Sequence, residues 1–137
     1  MRLTFISHFI ICMAVIALGW FIHLNGGFTI IYSGDKSRIT SIIGALFVLS
    51  SCYIGWQTWN LEKANSDFGY LVSEISVLLG VIGMAYGLSL QGQHIALSGN
   101  AAFEAWATQL YATICGCIAC LILLVMTFNL EQGLKKK

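Results

Sequence analysis

Charge and proline are what this chain lacks. Only 9% of its 137 residues are charged, and none is proline. A water-soluble domain carries about 25% charged residues, so a chain this poor in them reads as an integral membrane protein, an assignment that its mean hydropathy of +0.81 supports. Without proline, its helices have no ring to kink them. A net charge of +1 leaves no basic patch, which argues against nucleic acid as a partner. No nucleophile–base pair or phosphate loop stands out, so neither an enzyme nor a cofactor is expected.

Cysteine is present but badly placed for a metal. Cys115, Cys117 and Cys120 fall at about 0°, 200° and 140° around one helix, so they cannot converge on one ion. His8 and His23 stand fifteen positions apart in the sequence, roughly 22 Å by helical rise, too far to share one. Each is expected at an interface, and His94 in a solvated loop. No metal site is expected.

What is there is four apolar runs, each of the roughly 20 residues needed to cross a bilayer: 5–24, 39–59, 71–90 and 105–128. They predict an all-α membrane domain of four transmembrane helices occupying the whole chain. The connections 25–38, 60–70 and 91–104 leave no room for a soluble domain. With an even number of spans, Arg2, Lys63 and Lys135–Lys137 share one side and Lys36 and Arg38 the other, an asymmetry that favours both termini in the cytoplasm. Trp20 and Trp106 then fall near the outer boundary, and Trp56, Trp59 and Tyr70 near the inner one. The first run could alternatively serve as a cleaved signal peptide ending at Ala17-Leu18-Gly19, which would leave three spans in the same orientation.

Two of the runs carry stripes of small residues. In the third, Ser76, Gly80, Gly83 and Gly87 lie within about 60° of one another. In the fourth, Ala105, Thr108, Gln109, Ala112, Thr113, Gly116, Ala119 and Cys120 share one side, while Leu110, Ile114, Ile118, Leu121 and Val125 share the other. The second has a weaker stripe in Thr40, Gly44, Ser51 and Gly55. Small residues let membrane helices approach closely, so bundle packing alone accounts for the weaker stripe. The added hydroxyl and amide groups of the fourth suggest a face turned to protein or water. Glu74 lies about one turn inside the third helix, where it could line an ion exit, snorkel, or cap the helix start. Glu104 suits the positive end of the fourth helix.

From Glu74 to Leu130 the chain resembles the channel domain shared by MotA, TolQ and ExbB, the subunits of ion-driven motors. Leu79, Gly80, Gly83 and Gly87 match its first helix motif, with Tyr86 at the position of a tryptophan. Leu110, Thr113, Gly116 and Ala119 or Cys120 match its second, and Asn129 lies near a terminal asparagine. The chain departs from the pattern at Met84, in place of a threonine, and at Thr108, in place of the ExbB and TolQ glutamate. The prolines before Leu79 and after position 108 are also missing.

The resemblance implies a homo-oligomeric ring, a pentamer, in the bacterial inner membrane. Around the single membrane helices of an ExbD/TolR/MotB-like partner, the ring would couple ion flow, of protons in the first instance, to mechanical work. Thr113, Thr108, Gln109 and Glu74 would then face the pore, and Gly80, Gly83, Gly87 and Gly116 would pack the helices. Lipid is the remaining partner. Two other readings fit the same sequence: a phage holin-like pore-former, and a small accessory subunit of a membrane complex.

Overall fold

A computed structural model describes residues 2–35, 37–92 and 99–136; at residues 2, 34, 90–92, 99–105 and 107–109 the backbone alone is described. Among the described residues five α-helices follow in order: α1 (Arg2–Leu24), α2 (Gly27–Gly34), α3 (Ile39–Trp59), α4 (Asp67–Gly92) and α5 (Gly99–Lys135). Four of them, all but α2, are long and apolar enough to cross a bilayer. This is a multi-pass membrane protein.

α1, α4 and α5 overrun their apolar runs because nothing in the sequence stops them there. α4 starts four residues earlier than its apolar run, where the Asn65 side chain accepts a hydrogen bond from the Asp67 amide at 2.9 Å. α5 continues through the polar tail to Lys135, where Lys135 pairs with Glu131 at 2.7 Å. Its 37 residues make a rod of about 55 Å, longer than the roughly 30 Å hydrocarbon layer.

α4 and α5 form the central antiparallel pair. α3 packs on both, and α1 lies outside against α3 and α5. The buried core, Ile54, Leu61, Val72, Leu123, Met126 and Leu130, sits toward the end of the bundle that carries the termini. Along α1, Leu3, Ile6, Phe9, Ile10, Met13, Ile16 and Phe21 stay exposed, as a helix facing lipid requires. The tail of α5 grips α1: the Asn129 amide donates to the Thr4 carbonyl at 2.9 Å.

The first connection holds more structure than a linker. Gly26 takes φ +72°, a left-handed value that suits glycine, and turns the chain from α1 into α2. After α2, the buried carboxylate of Asp35 accepts hydrogen bonds from the Ser37 hydroxyl, the Ser37 amide (3.1 Å) and the Thr40 amide (2.8 Å). The Ser37 hydroxyl in turn accepts from the Ile39 amide at 3.2 Å. Together they satisfy amides at the start of α3 that would otherwise lack partners. Burial pushes the Asp35 carboxyl up, but the hydrogen bonds from Ser37 and Thr40 outweigh it and hold the group below its ordinary value.

The sign of the resulting pH dependence is fixed. A folded pKa below the unfolded value of about 3.9 means that the contribution of Asp35 is complete above about pH 4 and is lost as pH falls through the folded pKa. Thermal unfolding in detergent should show Asp35→Ala destabilised by about 0.5–2 kcal/mol at pH 7, the usual cost of a lost helix cap. The gap to the wild type should close on acidification below pH 4. Parallel curves across that range would refute the assignment.

Candidate functional site

The seam between α4 and α5 gathers the core of the two stronger stripes. At its centre a Cβ on Gly80 would lie 2.9 Å from the Ala112 carbonyl oxygen, and one on Gly116 would lie 3.2 Å from the Gly80 Cα. Backbone therefore meets backbone, with no room for a side chain on either helix. Gly83 lies where three helices meet, with Ala112 of α5 on one side and Ile39 of α3 on the other, each about 3 Å from a would-be Cβ. Gly87 is buried one turn further along.

Thr113 belongs to this seam. Half-buried, it donates its hydroxyl to the Gly80 carbonyl across the helix pair at 3.2 Å. The bond satisfies the hydroxyl where no water is at hand and ties the two helices at their closest approach. Within one chain, then, the Thr113 hydroxyl is engaged in the seam. The side chains of Thr108 and Gln109 lie outside the described residues, as does that of Glu104; His94 lies outside them altogether.

Glu74 stands elsewhere. It is exposed, about half a helical turn around α4 from Gly83, on a face shared with Leu71 and Leu78. The structure thus brings Gly80, Gly83, Gly116 and Thr113 together and leaves Glu74 on the outside of the bundle.

A second set of polar groups is buried toward the end carrying the termini: His8, Ser50, Gln57, Thr58, Ser73, Ser76 and Thr127. Of these, the sequence stripes singled out Ser76 alone. Four of the hydroxyls are satisfied by their own helices: Ser73 donates to Gly69, Ser76 to Val72, Thr127 to Leu123 and Thr58 to Gly55, at 2.7–2.9 Å. Such back-bonding is how serine and threonine enter a membrane helix interior without water. Three glycines make room for polar side chains of neighbouring helices: Gly55 beneath His8, Gly69 beneath Thr127 and Gly133 beneath Thr4.

His8 is 5% exposed and packs inside the bundle. Its Nε2 lies 3.5 Å from the Cys12 Sγ, while its Nδ1 and the Ser51 hydroxyl are buried without hydrogen-bond partners among the described residues. The sequence signal was available in outline, since His8 and Cys12 are one helical turn apart, but only packing against Gly55 buries His8. Among the described residues no three histidine, cysteine or acidic side chains come close enough to hold a metal ion.

Comparison with known proteins adds no relative: no family model, curated protein or solved structure matches the chain.

The seam makes a sharp mutational contrast. Gly116→Ala places a methyl group against the Ser76 carbonyl oxygen and should cost about 1–3 kcal/mol, the range for overpacking. A Cβ on Gly44 meets nothing within 4 Å, so Gly44→Ala should change stability by no more than about 0.5 kcal/mol. Thermal melts of both variants in one detergent decide the matter, and equal effects would remove the seam from its central role.

Proposed function

We propose that this chain is a wall subunit of a homo-oligomeric ion pathway of the MotA/TolQ/ExbB kind, working in a bacterial inner membrane with both termini in the cytoplasm. The observation that carries the reading is Glu74. It lies seven residues into α4, about 10 Å along the helix, between Leu71 and Leu78, which are 54% and 60% exposed. A charged side chain on a lipid-facing surface is costly, and such residues usually face a bundle interior or a water-filled cavity. One chain offers Glu74 neither. A ring of copies with this face of α4 turned inward does.

In that arrangement the seam is scaffold. Gly80, Gly83 and Gly116 hold α4 rigidly on α5, and Thr113 pins the pair, so that the outer face of α4 is presented at a fixed angle. Glu74 would supply a carboxylate at the cytoplasmic end of the pathway. The remaining polar groups would come from a single-span partner of the ExbD/TolR/MotB kind. A small accessory subunit is the competing reading, favoured by one observation: the glycines of the seam are spent within the chain, which leaves large apolar residues on its outer faces.

Imaging of the purified protein by cryo-electron microscopy separates the two. The ring reading expects a closed ring with Glu74 on its inner wall, and a large loss of ion flux in Glu74→Gln vesicles with ring and helix content unchanged. A monomer, or a ring that carries Glu74 on its lipid face, would overturn it.

A further inference from the structure

Beside the α4–α5 seam, and independent of the proposed ion pathway, α1, α2, α3 and α5 leave a groove of about 630 Å³ between them. Its size falls within the range of about 300–1,000 Å³ typical of small-molecule sites. Two glycines line it from opposite helices, Gly19 of α1 and Gly44 of α3, and a Cβ on either would meet nothing within 4 Å. Unlike those of the seam, these glycines do not serve contact within the chain; they leave open space.

The groove is short. It runs from Val15 to His23 along α1, from Arg38 to Phe47 along α3 and from Cys115 to Ile122 along α5. At 1.5 Å per residue each stretch is roughly 10–14 Å long, close to half of a hydrocarbon layer of about 30 Å. A transmembrane helix from another subunit would need a trough of twice that length. One acyl chain from one leaflet does not.

The polar groups gather at the mouth, at the α2 end of the bundle. Arg38 is exposed there and makes no ion pair among the described residues. The Thr40 hydroxyl, on a lining residue, is buried against the Asp35 carboxylate. Asp35 lines the same mouth; one of its carboxylate oxygens takes two hydrogen bonds from Ser37, and the other takes one from the Thr40 amide. A phosphate suits Arg38. A purely anionic headgroup would meet repulsion from Asp35, whereas one that also carries a primary ammonium would satisfy the remaining capacity of that carboxylate.

We infer that the groove is a binding site for a phospholipid with an amine headgroup, of the phosphatidylethanolamine class. One acyl chain lies between Gly19 and Gly44, the phosphate sits on Arg38, and the ammonium faces Asp35.

Native mass spectrometry of the full chain tests this directly. The protein would be offered equimolar phosphatidylethanolamine, phosphatidylcholine and phosphatidylglycerol with identical acyl chains. One phosphatidylethanolamine per chain should be retained several-fold over either competitor, since the quaternary amine of phosphatidylcholine has no hydrogen to donate and phosphatidylglycerol has no cation. Gly44→Phe should fill the groove and abolish retention, and Gly19→Phe does the same from the opposite wall should the first variant fail to fold. Arg38→Gln should lower retention about tenfold by removing a charge-assisted contact. Equal retention of all three lipids, preference for phosphatidylglycerol, or retention unchanged by the groove-filling variants would overturn the inference. So would a dimer that Gly44→Phe dissociates, because the groove would then belong to a second copy.

Discussion

Everything in this bundle hangs on the place where α4 and α5 touch through bare backbone. At Gly80 and Gly116 the two helices are closer than any pair of side chains would allow. In lipid the attraction between helices comes from contact and hydrogen bonding rather than from expulsion of water, so closeness itself supplies the stabilisation. The Thr113 hydroxyl depends on it, since the Gly80 carbonyl is in reach only because the helices meet there. The position of Ile39 against Gly83 depends on it too, and with it the start of α3. Moving α4 outward by the width of a methyl group would disturb three helices at once.

The second constraint is that no polar group in the interior can rely on water. The chain meets it with short-range devices. Serine and threonine donate to carbonyls three or four residues back, glycines open niches for polar neighbours, and Asp35 is fastened to the amides at the start of α3. These bonds are local, so a polar band can be buried near one end of the bundle without a network joining its members. His8 and Ser51 stand apart from that economy, each with a buried polar atom that no described group satisfies.

The four spans were legible in the sequence because length and hydropathy decide them, and a proline-free run has no internal stop. The stripe on α4 was legible because Ser76, Gly80, Gly83 and Gly87 recur at helical spacing, which is a property of one helix alone. Its partner was not. Thr113 lies on a face rich in small and hydroxyl residues whether that face meets water or Gly80, and periodicity cannot tell the two apart. α2 was invisible for a different reason: Gly27–Gly34 is too short to span, and its apolar residues carry no period long enough to read. The burial of His8 needed the third dimension, because α1 is apolar all round and offers no polar face from which a buried position could be distinguished.

The separation of Thr113 from Glu74 bears on any ion pathway that this chain could build. Motif matching places both on one pore, yet the first is spent on a carbonyl inside the bundle and the second stands on its exterior. A single chain therefore cannot run a polar path between them without unpacking the seam, and unpacking would expose the Gly80 carbonyl that Thr113 satisfies. An assembly escapes this only if its pathway follows the outer face of α4, past Leu71, Glu74 and Leu78, with the seam left closed behind it. Along most of its length such a path would be walled by large apolar side chains. Its polar character would then have to come from Glu74 and from whatever second protein fills the centre, so the chain alone would make a poor conductor and a good frame.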